Sequence, residues 1–232
     1  LCKIYVIKEM IMNEIEAIKE RHSVRSYQKK SIEAEKVNAL KEKIKGINER
    51  GNLSFVFCED AGNTFNRLLN KVMGLGSAPS VIACIGKDAD YLEERVGYYG
   101  QQLVLYAQML GLNTCWAGTY NSKNVPVKIK EDEKIVIVIA IGYGNNQGKE
   151  HKSKKAEQIV KSTGNVPKWF EYGTQMAMLA PTAMNQQKFE IVLNDDETVS
   201  FVDIGGAFSK VDLGIVKYNF EVGVSYIKEH KD

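Results

Sequence analysis

The sequence predicts a fold of interleaved helices and strands, in the α+β or α/β class, and three observations carry that prediction. Apolar residues recur at helical spacing in several segments. An unbroken Ile/Val run from Lys134 to Gly142 reads as a strand buried on both faces. Segments of the two kinds alternate along 232 residues, a length that can bury a substantial core.

From the amino end, Ile11, Ile15 and Ile18 predict a helix over Asn13 to Arg21. Ser31 reads as the N-cap of a second helix through Val37, Leu40 and Ile44, ending near Gly51. Leu53 to Cys58 reads as a strand, and Phe65, Leu68, Leu69 and Val72 as a helical stripe. The loop Gly74 to Pro79 leads into a buried strand, Ser80 to Gly86. A long helix follows from Tyr91 to Gly111, then a short strand or loop at Asn113 to Ala117. Beyond the Ile/Val strand come a glycine-rich and basic loop, a short helix and a polar linker, Ser162 to Pro167. Trp169 to Ala180 is predicted helical. Phe189 to Leu193 and Val199 to Ile204 are predicted strands, and Ala207 to Ile227 a long last helix.

Composition narrows the function. Hydrophobic residues make up 44% and charged residues 26%, ordinary values for a folded soluble protein. Thirty-one basic residues stand against 29 acidic ones, for a net charge of +2. That balance leaves no footprint for nucleic acid or a membrane surface and directs the expectation to a small-molecule partner. Cys2, Cys58, Cys84 and Cys115 form no CxxC pair, and His22, His151 and His230 do not cluster with them. The pattern argues against a disulfide scaffold or a structural zinc site and for a reducing, cytoplasmic setting. Leu1 to Met12 is too short and too charged for a signal peptide or membrane span.

A weak internal echo runs through the chain. Ile85-Gly86 and Ile204-Gly205 each end a strand that precedes a long helix. Within those helices Leu103, Val104, Tyr106 and Gly111 match Ile215, Val216, Tyr218 and Gly223 at one constant offset.

Three segments carry candidate chemistry, and a fourth is a decoy. The decoy is Gly142-Tyr-Gly144-Asn-Asn-Gln-Gly148, which follows a strand in the manner of a dinucleotide fingerprint. Its third glycine is displaced by one, and no helix opens at the loop, so the Rossmann reading fails. The first real candidate is Arg21-His22-Ser23-Val24-Arg25. In an extended exit from a helix, Arg21, Ser23 and Arg25 share one side, giving two planar donor forks and a hydroxyl for an anion. The second is the basic loop with Lys152 and Lys154, where two ammonium groups at the end of the most buried strand could neutralise a phosphate. Lysine-rich segments are more often solvated. The third is Leu179-Ala-Pro181-Thr182-Ala183-Met-Asn185-Gln-Gln187, where a helix stops and restarts with Thr182 as a potential cap. Asn185 offers a donor and an acceptor to the edge of a heterocycle. A plain turn is the competing reading.

Together these segments resemble the nitroreductase family of FMN enzymes. The clamp motif of that family matches Arg21, Ser23 and Arg25. Its Ala-Pro-Ser-x-x-Asn-x-Gln loop matches Ala180 to Gln187, its long helix ending in Gly-Leu matches Gln101 to Leu112, and its strand, Gly-Tyr and basic residues match Gly142, Tyr143, Lys152 and Lys154. The resemblance spans nearly the whole chain, but the loop comes after the basic segment instead of before the long helix. In family members, one subunit of an intertwined dimer gives the clamp and the other gives the loop. The altered order therefore implies a fused pseudo-dimer, like that of a divergent TM-type branch.

The implied fold is α+β, a mixed sheet with flanking helices in two pseudo-symmetric halves, residues 1–161 and 162–232, forming one intertwined unit. The implied chain is a monomer or a weak homodimer. The resemblance assigns Arg21, His22 and Ser23 to the FMN phosphate with Lys152 and Lys154 assisting, and Arg25 to the pyrimidine side of the ring. Pro181, Thr182, Ala183, Asn185 and Gln187 come from the second half, and Ala117, Gly118 and Thr119 lie near flavin N5. The implied activity is ping-pong transfer from NADH or NADPH through N5 to a nitroaromatic, a quinone or a similar small electron acceptor, with no protein nucleophile. The rival readings are a flavin-binding protein without turnover, another flavoenzyme on the same scaffold and a small binding module without cofactor.

Overall fold

The Ile/Val run forms the centre of a sheet with apolar clusters on both of its faces. A computed structural model describes residues 12–66 and 74–230. Its helices are α1 (Glu14–Glu20), α2 (Ala34–Gly51), α3 (Leu92–Met109), α4 (Lys168–Met178) and α5 (Ser209–Glu229). Its strands are β1 (Val56–Cys58), β2 (Ser80–Lys87), β3 (Asn113–Ala117), β4 (Glu133–Gly142), β5 (Val160–Ser162), β6 (Phe189–Leu193) and β7 (Val199–Asp203). Helices and two separate sheets alternate along the chain, an α+β arrangement.

The larger sheet is antiparallel throughout, in the order β1-β2-β4-β3. On β4, Ile137, Ile139 and Ile141 enter one cluster, with Val37, Leu40 and Ile44 of α2 and Leu103 of α3. The intervening Val138 and Ala140 enter another, with Val24, Tyr27, Phe65 and Leu75. Burial on both faces explains why this strand reads as a continuous apolar run. The smaller sheet, β5-β6-β7, pairs β5 to β6 in parallel and β6 to β7 antiparallel.

Several boundaries differ from the sequence expectation. Helix α2 starts after Glu33 instead of Ser31, and the Glu33 carboxylate bonds Lys30 and the Tyr143 hydroxyl, capping nothing. Strand β1 is half its expected length, because the Asn48 side chain takes both the N–H and the carbonyl of Phe55. The predicted short helix after the basic loop is a single 3-10 turn at Ala156–Gln158. The expected linker at Ser162 begins as strand β5, paired from Val160 to Ile191. The stripe expected over Leu68 to Val72 lies outside the described residues, as does Ile11.

Helices α3 and α5 cross in backbone contact. A Cβ on Gly97 would lie 2.0 Å from the Val211 carbonyl oxygen, and one on Gly214 would lie 2.0 Å from that of Glu94. Both helices open after a left-handed residue, Tyr91 (φ 60°) and Phe208 (φ 58°). The distance along the chain from Tyr91 to Phe208 equals that from Gly97 to Gly214. The echo read from sequence used a different offset, and its members are not equivalent in place. Gly111 has φ 73° just past the end of α3, whereas Gly223 packs within α5 against Gly173 and Met176. Among the described residues no helix is long and apolar enough to cross a membrane.

Candidate functional site

The helix that delivers the arginine clamp is closed at its start by a reciprocal cap. Asn13 Oδ1 accepts from the Glu16 N–H, and the Glu16 carboxylate accepts from the Asn13 N–H. At its end the chain leaves in extended form at Arg21 (φ −74°, ψ 131°). It is then stitched to the sheet: Val24 N–H donates to the Thr114 carbonyl at 3.0 Å, and Tyr27 bridges Gly144. Val24 and Tyr27 go into the core, while Arg21, His22, Ser23, Arg25 and Ser26 line one cavity.

That cavity has two compartments. The first, of about 620 Å³, is polar and lined by Arg21, His22, Ser23 and Arg25, by Lys149 and His151 of the basic loop, and by Pro181, Thr182 and Asn185. The second, of about 340 Å³, is mostly apolar. Leu75, Trp116, Ile137, Phe208, Val211 and Ile215 form its walls, with Ala117, Gly118 and Thr119 along one side. Ser23, Arg25, Pro181, Thr182 and Met184 line both compartments and mark their junction. Clamp and loop, far apart in sequence, therefore face one space.

Arg21 sits at the floor, only 5% exposed. Its Nη2 donates to Ser23 Oγ at 3.4 Å, and its Nε finds no partner among the described residues. Burial lowers its guanidinium to about 10, and burial together with Arg21 lowers the His22 imidazole below its ordinary value. A buried cation with a spare donor is costly unless an anion meets it.

The Pro181–Gln187 loop is rigid for reasons the structure makes explicit. Met184, Asn185 and Gln187 all have positive φ (51°, 54° and 46°). Such backbone persists only where its surroundings hold it. Gln187 is 2% exposed, and its Nε2 donates to the Lys152 carbonyl and to Asn185 Oδ1, each at 2.9 Å. Its Oε1 accepts from the Lys154 N–H at 2.8 Å. Asn185 Nδ2 donates to the same Lys152 carbonyl, and Thr182 Oγ1 accepts from the Gln187 N–H. On the other side, the Asp212 carboxylate of α5 accepts from the Ala183 N–H and from Gln186 Nε2. Burial pushes the Asp212 carboxyl up to about 6, against those same hydrogen bonds.

These placements divide the residues expected from sequence. Arg21, His22, Ser23, Arg25, Ala117, Gly118, Thr119, Pro181, Thr182, Ala183 and Asn185 line the cavity. Lys152, Lys154 and Gln187 are not among its lining residues. Lys154 Nζ instead donates to the Gln187 carbonyl at 2.7 Å, and Lys152 serves through its own carbonyl. The positive charge that the loop brings to the polar compartment belongs to Lys149, beside the imidazole of His151. Sequence reasoning missed these two, along with Met184, Phe208 and Asp212. Asp212 carried a legible signal, a carboxylate inside the apolar stretch Val211, Leu213, Ile215 and Val216.

Residues 13–224 match the protein-family model described as "Putative TM nitroreductase". No curated protein matches the chain significantly. Among solved structures, the chain is similar to a "putative nitroreductase" from Thermotoga maritima at 21% identity and a TM-score of 0.67, over 94% of this chain and 86% of that one. It is also similar to a "putative nitroreductase in complex with fmn" from Desulfovibrio desulfuricans at 18% identity and a TM-score of 0.53, over 67% of this chain and 99% of that one. A third similar structure, a "Putative NADH dehydrogenase/NAD(P)H nitroreductase" from Parabacteroides distasonis, shares 20% identity at a TM-score of 0.50, over 64% and 97%. At such identities the likeness establishes a shared fold.

Proposed function

We propose, from the premise that this chain belongs to the TM nitroreductase family, that it is an FMN-dependent oxidoreductase acting on small electron acceptors. One observation carries the reading: the buried, partly unpartnered Arg21 at the floor of a polar compartment that opens into an apolar slot. A phosphate ester of a flat heterocycle has those two parts. The Desulfovibrio desulfuricans neighbour, described as an FMN complex, supports the choice among such molecules.

The residues fit the cofactor. Arg21, His22 and Ser23 are assigned to its phosphate, with Lys149 and His151 closing the same compartment and the exposed Lys152 contributing long-range charge. Lys154 is assigned to holding Gln187. Pro181, Thr182, Ala183 and Asn185 are assigned to one side of the ring, and Ala117, Gly118 and Thr119 to the neighbourhood of its N5. Arg25, common to both compartments, is assigned to the pyrimidine edge, where a fixed cation stabilises developing negative charge. When bound, FMN supplies the hydride- and electron-carrying chemistry, so the protein's work is binding, orientation and electrostatics. NADH or NADPH is the proposed donor, and nitroaromatics or quinones are the proposed acceptors.

The chain is further proposed to be a fused pair of halves, residues 1–161 and 162–232. The reciprocal crossing at Gly97 and Gly214 and the matching left-handed starts of α3 and α5 support this. A monomer or weak homodimer then completes one site with its own clamp and loop. The test is to titrate the purified protein with FMN and add NADH or NADPH without oxygen. Expected are stoichiometric binding and loss of the flavin's visible absorption. A protein that ignores FMN overturns the reading, and one that binds FMN yet leaves it oxidised overturns its enzymatic half.

A further inference from the structure

Two large apolar side chains sit at the mouth of the apolar compartment in backbone conformations that most residues avoid. Met184 is 85% exposed at φ 51°, and Phe208 is 38% exposed at φ 58°. A residue other than glycine in left-handed backbone carries steric strain. Glycine would relieve that strain at either place.

The segments that carry the two are tied together by their neighbours. Gln186 Nε2 donates to the Ala207 carbonyl at 2.7 Å and to Asp212 Oδ2 at 3.0 Å. Ala183 N–H donates to both Asp212 oxygens at 3.0 Å. The residues flanking Met184 are thereby tied to the turn that carries Phe208 and to the first turns of α5. The Phe208 ring is backed by Gly118, where a Cβ would lie 2.3 Å from the ring. Met184 lines both compartments and Phe208 the apolar one. The pair presents exposed apolar surface on the compartment assigned to the flavin ring.

We propose that Met184 and Phe208 form the contact surface for the second substrate and select flat, apolar acceptors. The proposal rests on the flavin reading above. A flat ligand entering between the two would bury apolar surface that is now exposed, and the thioether and the aromatic ring both favour a π face.

Methionine oxidation tests this without relying on turnover. The FMN-loaded protein is treated with dilute hydrogen peroxide, with and without 1,4-naphthoquinone, and sulfoxide formation is followed by mass spectrometry at Met184. Met178, in a separate cleft with Val160 and Phe170, serves as the internal reference. Naphthoquinone is expected to slow oxidation of Met184 at least fivefold and to leave Met178 unchanged. In protein saturated with FMN, the variant Met184→Gly, which relieves the left-handed strain, is expected to bind naphthoquinone about tenfold more weakly, with Met184→Leu restoring most of the affinity. Protection by FMN alone with none added by the quinone, or unchanged quinone affinity in Met184→Gly, overturns the proposal and leaves the flavin reading standing. Failure of the parent protein to bind FMN removes both.

Discussion

Asp212 accepts the backbone N–H of Ala183 through both carboxylate oxygens at 3.0 Å, joining the strained loop to the first turns of the last helix. The bond makes the loop an extension of α5, and the carboxylate that forms it is 6% exposed.

A pH dependence follows from that burial. The Asp212 carboxyl is raised from 3.8 to about 6, so the folded protein holds this proton more tightly than the unfolded chain does. Its stabilising contribution is complete below 3.8 and is lost as pH rises through about 6. Relative to the parent, Asp212→Asn is expected to gain about 2 kcal/mol in stability between mildly acid and neutral pH. Urea unfolding of both proteins across that range measures it. A difference independent of pH would show that the carboxyl does not titrate there.

Arg21→Ala is expected to weaken FMN binding by about 1.5–3 kcal/mol, roughly 10- to 150-fold, through loss of a charge-assisted phosphate contact. Flavin fluorescence titration reads this directly. An unchanged affinity would remove Arg21 from the phosphate site.

Gln187→Ala is expected to cost about 2–3 kcal/mol of stability, because it strands the Lys154 N–H and removes one of the two donors to the Lys152 carbonyl together with the bond to Asn185 Oδ1. Limited proteolysis should show new cleavage in both the basic loop and the Pro181–Gln187 loop. Cleavage confined to one of them would contradict the bracing role.

Gly97→Ala and Gly214→Ala should each destabilise the fold by about 3 kcal/mol, since the added Cβ would lie 2.0 Å from a carbonyl oxygen of the facing helix. Thermal unfolding checks both. A variant with an unchanged midpoint would mean that the helices separate cheaply.

How much of this was legible in the sequence depended on whether the signal was local. Strand β4 announced itself because burial on both faces demands an apolar residue at every step. That Arg21, Ser23 and Arg25 share one cavity was legible because they stand two apart in extended backbone. Strand β5 was not, since Ser162 read as the start of a linker and the partner β6 lies about thirty residues further on. Lys154 misled for a different reason. Charge count suggested a phosphate ligand, but the loop's path turns its ammonium onto the Gln187 carbonyl. Met184 and Phe208 were invisible because left-handed backbone at a non-glycine residue leaves no mark on sequence. Gln187 was assigned to the cofactor, and the structure gives it a bracing role from behind the cavity wall.

The crossing at Gly97 and Gly214 also constrains how this protein can vary. Crowding in a core is usually relieved by shrinking the neighbour, which lets paired substitutions persist where single ones fail. At this crossing the obstacle to each new side chain is the other helix's backbone, and glycine is already the smallest residue. No second-site change in side-chain size can compensate. In a library randomised at both positions together, survivors should return glycine at both, with neither position drifting on account of the other.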